Sequence, residues 1–204
     1  MVRIPHPPRV AKMAAMSEAG NLRAPVLLLA MPQVQDPYFH RGVVLLLAHE
    51  EEGSFGFLLN RPTAVRVHDV LAGLDMAWQG DITALAYFGG PVQPELGSVL
   101  YGKSDGTAAQ EAMPGVAITQ QLGDLATLAA DPPERFRLFL GYAGWGRGQL
   151  MQEIERNDWL TAPVHGELVF STDADSLWIS AVRSLGIDPA TLPSWTPGGE
   201  ESAN

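Results

Sequence analysis

The chain contains no cysteine. Disulfide staples, thiolate nucleophiles and Cys-ligated zinc or iron–sulfur centres are therefore excluded, and the composition suits a reducing, cytoplasmic setting. Basic residues are scarce: 13 Lys and Arg stand against 23 Asp and Glu, a formal net charge of -10. The field of the whole chain opposes a phosphate backbone, so direct DNA binding is not expected. Long apolar runs are also missing. Val26 to Met31 falls far short of the ~20 residues a membrane helix needs, and no membrane span is expected. Metal-ligand spacing is lacking as well. His6, His40, His49, His68 and His165 form no His-x-x-x-His or His-x-His pair, and His49-Glu50-Glu51-Glu52 reads as an exposed polar turn. The expectation is no metal and no cofactor.

What is present is apolar mass. With 204 residues, 46% of them hydrophobic, the chain supports one sizeable core and one domain. Arg3, Arg9 and Lys12 lie among Pro5, Pro7 and Pro8 without a following apolar stretch of signal-peptide length, so residues 1–20 read as a flexible N-terminal extension. Met13 and Met16 are candidate alternative translation starts. The domain is expected over residues 21–192, with a loosely ordered tail at 193–204 where Pro, Gly and Ser accumulate.

Val26 to Met31 and Val43 to Ala48 are continuous apolar runs of strand length, the pattern of strands covered on both faces. Pro32 and Asp36-Pro37 force an extended loop between them. Glu50 to Ser54 forms a turn, Phe55 to Leu59 returns as the partner strand of a hairpin, and Arg61-Pro62 stops it. Val67, Val70, Leu71 and Leu74 have helical spacing. Ile82 to Phe88, Ser98 to Tyr101, Val116 to Thr119, Arg135 to Leu140 and Leu168 to Phe170 read as strands. Asp124 is placed as the cap of a short helix to Leu128. Leu150 and Ile154, and on another face Gln149 and Glu153, mark a helix, and Ser176 to Leu185 a last one with Leu177, Ala181 and Leu185 inward. The elements do not alternate as βαβα, which favours an α+β arrangement over a doubly wound sheet.

Two glycine-rich stretches invite chemical readings. Gly102-Lys103-Ser104-Asp105-Gly106 matches Gly-x-Ser-x-Gly, but no well-formed helix follows it, and the residues suit a hairpin turn. Gly141, Gly144, Gly146 and Gly148 separate a strand from a helix, where a phosphate loop would lie. Arg147-Gly148 stands where a Walker loop needs Lys-Ser/Thr, and Trp145 occupies the ligand's place. The stretch reads as backbone wrapping a buried indole, with an anion or small-ligand site as the alternative. Asp36, Arg41 and Asn60 flank strand ends and could meet Gln149 and Glu153. Arg41 paired with Asp36 or Glu153 would be either a fold-fixing bridge or part of a pocket. Asp36, Arg41, Asn60, Gly144, Trp145, Gln149 and Glu153 are the candidate binding residues, and no catalytic set is assignable.

These stretches together resemble the AlgH/YqgE family of bacterial proteins. The resemblance rests on Met31-Pro32, Asp36-Pro37-x-Phe39-x-Arg41, His49, Gly56-x-x-x-Asn60-Arg61-Pro62, Phe88-Gly89-Gly90-Pro91-Val92, Gly141-Tyr142-Ala143-Gly144-Trp145-x-x-Gly148-Gln149-Leu150-x-x-Glu153-Ile154, and Trp159-Leu160. It spans about Leu22 to Leu192. It implies a compact α+β fold with a mixed, partly barrel-like sheet and flanking helices, and a cytosolic location. It also implies a role in transcriptional regulation, which an acidic chain without a helix-turn-helix would exert through a protein partner. Where the family usually carries an Arg, a large aromatic and a His after Gly90-Pro91, this chain has Leu96, Ser98 and Tyr101. The reading is thus a non-enzymatic regulatory or protein-interaction module. The alternative is a small-ligand or nucleotide-binding protein, or a hydrolase, with its pocket near Arg41, Asn60, Gln149 and Glu153.

Overall fold

The structure, a computed structural model, describes residues 22–103, 109–170 and 173–193. The expected N-terminal extension, nearly all of the expected tail, and Ser104 to Gly106 of the Gly-x-Ser-x-Gly stretch lie outside the described residues. The fold is α+β: among the described residues five short α-helices flank an extensive, curled, largely antiparallel sheet that closes part-way toward a barrel.

The strands are β1 (Val26–Ala30), β2 (Val43–Glu50), β3 (Gly53–Leu58), β4 (Pro62–Arg66), β5 (Leu85–Phe88), β6 (Val92–Gly102), β7 (Glu111–Met113), β8 (Val116–Thr119), β9 (Phe136–Gly146) and β10 (Trp159–Ala162). The helices are α1 (Val67–Ala72), α2 (Leu122–Ala130), α3 (Gln149–Glu155), α4 (Gly166–Val169) and α5 (Ala174–Ser184). The main path runs β10-β1-β2-β3-β9-β6-β8-β7, and β4 and β5 branch off it. Strand β5 lies parallel to β9, pairing Tyr87 with Phe139, and is the parallel element that makes the sheet mixed.

The apolar runs of β1 and β2 form strands because both faces have a core to enter. Leu27, Leu29, Val43, Leu45, Phe55 and Phe57 point into the concave interior, where α5 packs Leu177, Trp178, Ala181 and Val182 against them. Their neighbours Leu28, Ala30, Val44, Leu46 and Leu58 point the other way, under Leu150 of α3 and the indoles of Trp145 and Trp159. A third core lies farther along the outer face, where α1 and α2 cover Val99, Tyr101, Ala117 and Leu138. The indole N–H of Trp178 donates to the Ala30 carbonyl at 2.8 Å, tying α5 to β1.

Strand β9 binds the halves together. Its first half pairs with β6 on one edge and β5 on the other, and residues 143–146 pair with β3. The glycine-rich stretch expected to be a loop is therefore mostly strand, and the turn shrinks to Arg147-Gly148. Close backbone approach is the reason. Gly141 has φ +69, Gly90 has φ +151, and a Cβ on either would strike the backbone of the segment opposite.

Other expectations shift for identifiable reasons. Leu168 to Phe170 lies in the turn of α4, not a strand. The Leu168 amide donates to His165, and three apolar residues cannot distinguish one helical turn from a strand. Strand β3 does end before Arg61-Pro62, as expected, and Pro62 then opens edge strand β4, where its missing N–H is not needed. Ile82 is exposed and precedes β5. Asp124 sits inside the first turn of α2 and accepts a hydrogen bond from the Thr119 hydroxyl at 2.6 Å, leaving Gln121 at the cap position.

Gly144, also in β9, has no left-handed backbone angle, and a Cβ there would meet only side chains, the Tyr142 ring at 3.1 Å and Val92 Cγ2 at 3.5 Å. Gly141→Ala should therefore cost about 2 kcal/mol or more, and Gly144→Ala less than about 1 kcal/mol. Urea denaturation of both variants checks this, and equal midpoints would contradict the assignment of strain to Gly141.

Candidate functional site

Helix α3 starts from Gly148, whose φ of +71 turns the chain off β9. Gln149 and Glu153, four residues apart, face the sheet from the same side of that helix. The Glu153 carboxylate accepts hydrogen bonds from the indole N–H groups of Trp145 and Trp159, each at 2.8 Å to Oε2, and from the Gln149 amide at 2.9 Å to Oε1. The Gln149 Oε1 in turn accepts from the Gly146 amide at 3.0 Å. A buried indole needs an acceptor for its N–H, and one carboxylate here serves two. The rings of Trp145 and Trp159 meet edge to face at 5.9 Å, and Phe39 completes the cluster at 5.7 Å from Trp159 and 6.3 Å from Trp145.

Phe39 reaches this junction from the loop between β1 and β2. Asp36 shapes that loop by accepting from the amides of Tyr38 (2.8 Å) and Phe39 (3.1 Å), an Asx turn. Asn60 is buried and fastens the loop's far end. Its Oδ1 accepts from the Val43 amide and its amide donates to the Arg41 carbonyl, both at 2.9 Å. That grip holds Arg41 at φ +50, a backbone region a side chain rarely adopts. The Arg61 guanidinium donates to the carbonyls of Tyr38, His40 and Asn60, so the loop is pinned from beneath.

Arg41 pairs with neither Asp36 nor Glu153. Its guanidinium is exposed and lies 5.6 Å over the Trp178 ring, at the lip of a cleft of about 210 Å³ shared with His40, Asn60, Arg61 and Asp175. The seven candidate residues therefore divide. Gln149, Glu153 and Trp145 form a packed junction, and Gly144 lies beside it in β9. Arg41 and Asn60 belong to the separate cleft, while Asp36 shapes the loop connecting the two places. Arg147, which displaced the Walker lysine in the sequence pattern, forms an exposed pair with Glu51 on the β2–β3 hairpin. His49 bonds Ser54 at 2.7 Å through Nδ1, and burial lowers its pKa, favouring the neutral ring.

Sequence reasoning gave Arg61 and Trp159 only as parts of motifs and missed Arg137. Arg137 is 4% exposed, donates to the carbonyls of Leu59 (3.1 Å) and Val169 (2.8 Å), and stacks 4.1 Å over Tyr87. The available signal was its parity: Arg137 shares the inward phase of β9 with Phe139. Among the described residues no group of three or more His, Asp or Glu side chains could hold a metal ion, and no helix is long and apolar enough to cross a membrane.

Comparison with known proteins places this geometry in context. A family model described as AlgH-like matches residues 27–190. A UPF0301 protein of Myxococcus xanthus is 39% identical over 170 residues, covering 83% of this chain and 94% of its own. One of Hahella chejuensis is 38% identical over 181 residues, covering 88% and 97%. The solution structure of the AlgH protein from Pseudomonas aeruginosa superposes with a TM-score of 0.68 at 30% identity, covering 84% of this chain and 94% of that one. A crystal structure of a protein from Corynebacterium diphtheriae gives the same TM-score at 25% identity, covering 82% and 90%.

Loss of the Glu153 acceptor should loosen three elements at once. Glu153→Gln replaces an acceptor oxygen facing the Gln149 amide by a second donor, with an expected cost of ~1–3 kcal/mol. Trp145→Ala leaves a cavity and should cost ~3–5 kcal/mol. Denaturant melts measure both, and an unchanged midpoint for the pair would show that the junction does not anchor the fold.

Proposed function

The chain belongs to the AlgH-like family, and from that premise we propose that it is a non-enzymatic protein-interaction module, exerting regulation through a protein partner in the cytoplasm. The observation that carries this reading is the state of Glu153. Its two oxygens are engaged by Trp145, Trp159 and Gln149, so the carboxylate at the heart of the longest family motif serves packing, not acid–base chemistry. Asn60 is spent in the same way on the backbone at Arg41 and Val43.

What the arrangement leaves outward is the loop itself. Tyr38 is 48% exposed and stacks on Phe88 at 5.3 Å, and Arg41 is exposed on the same loop, over Trp178, on a backbone held by Asn60. Tyrosine and arginine on a preorganised loop are the residue types that dominate protein interfaces. The neighbouring cleft of about 210 Å³ is smaller than the roughly 300–1,000 Å³ usual for small-molecule sites, and neither Gln149 nor Glu153 lines it. A net charge of -10 argues against the module reading DNA itself.

The test is affinity capture with cross-linking from host cytosol, using the full chain and the variants Tyr38→Ala and Arg41→Glu. The expected outcome is a partner held by the parent chain and lost with either variant, while their melting temperatures stay within a few degrees of it. Capture indifferent to both variants would reject this face. Salt-sensitive, sub-micromolar duplex DNA binding, or turnover abolished by Arg41→Ala in an esterase and nucleotidase panel, would reject the reading as a whole.

A further inference from the structure

A second, larger cavity lies where the parallel strands β5 and β9 begin, away from the Glu153 junction and the Arg41 cleft. Its volume is about 440 Å³, within the range of small-molecule sites. Its walls include the rings of Trp78, Tyr87, Phe136 and Phe170, together with Arg135 and Arg137. The rings are fixed. Trp78 packs against Phe136 at 4.8 Å and donates its indole N–H to the Asp81 carbonyl at 2.9 Å, and Tyr87 is held under the Arg137 guanidinium.

The two arginines occupy different depths. Arg137 is buried and oriented by the carbonyls of Leu59 and Val169, which fixes a positive charge in the cavity wall. Arg135 is exposed at the mouth, with its guanidinium 5.8 Å over the Phe170 ring. Two carboxylates share the lining. Asp81 accepts from the Thr83 amide and hydroxyl through Oδ1, at 2.8 and 2.7 Å, and both Asp81 and Glu134 are exposed to solvent. Solvent and salt screen those exposed charges far more than a buried guanidinium, so the interior of the cavity favours an anion.

We propose that this cavity binds a small planar anion, an aromatic carboxylate whose ring lies among the four aromatic side chains. Its carboxylate is met by Arg135 at the mouth, within the field of Arg137. Aromatic faces supply area with geometric preference, and guanidinium groups suit a carboxylate's two oxygens. The inference is independent of the partner-binding role proposed for the Tyr38 loop.

The probe is 2-naphthoate, titrated into the full chain while the indole N–H cross-peaks are followed by NMR, with Trp78 assigned through Trp78→Phe. The expected result is saturable one-to-one binding that shifts the Trp78 peak and leaves those of Trp145 and Trp159 in place. Arg135→Ala should weaken binding about tenfold, and the neutral analogue 2-naphthylmethanol should fall short of the carboxylate by a similar factor. Ala84→Phe, which fills the cavity from its lining, should abolish binding. A thermal melt accompanies each variant, and if Ala84→Phe does not fold, Arg135→Ala and the neutral analogue decide. Absence of saturation, shifts confined to Trp145 and Trp159, or binding indifferent to Arg135→Ala would each overturn the proposal. Equal affinity for the neutral analogue would do so as well.

Discussion

One carboxylate receiving two indole N–H groups holds together three successive elements of the chain. Trp145 comes from the end of β9, Trp159 from the start of β10, and Glu153 from the helix between them. An indole buried without an acceptor forfeits a hydrogen bond, and a carboxylate buried without donors is worse off still. Each group therefore makes the burial of the other tolerable. Phe39 adds a third ring to the cluster, which brings the loop between β1 and β2 under the same constraint.

That economy has a functional side. Polar groups committed to one another inside the fold are withdrawn from chemistry at the surface, and in the proposed reading the motif around Glu153 supports the fold beside the Tyr38 loop. The loop carrying Tyr38 and Arg41 is rigid because Asp36, Asn60 and Arg61 spend their hydrogen bonds on its backbone. The second place where charge and rings meet, at the beginnings of β5 and β9, draws on other residues and another core.

The fold was legible in the sequence where the hydrophobic pattern had a single structural meaning. Val26 to Ala30 and Val43 to Ala48 are apolar at every position, which suits only segments buried on both sides, and both are strands of that kind. The helix at Ala174–Ser184 was equally plain, since Leu177 and Ala181 lie one turn apart on its buried face. Trp159–Ala162 escaped notice because four residues, one of them an exposed Thr, carry too little period to be distinguished from a loop. The glycines of β9 misled for a different reason. Glycine serves both turns and close strand approach, and only the position of Gly90 opposite Gly141 tells which. The seven candidate residues, expected to converge, fall instead into a packed junction and a separate cleft. Sequence cannot show that the Glu153 oxygens are already claimed by two indoles, or that Arg41 leans over Trp178.

The alternation along β1 and β2 carries a consequence for motion. Leu27 and Leu29 belong to one core, Leu28 and Ala30 to another, so these strands are the common wall of two packed compartments. Neither compartment can lose this wall without exposing the other, which couples their opening into one cooperative event. Amide protons of β1 and β2 should consequently be the last in the chain to exchange with solvent deuterium. Those of the edge strand β4, which pairs on one side only, exchange by local fraying long before.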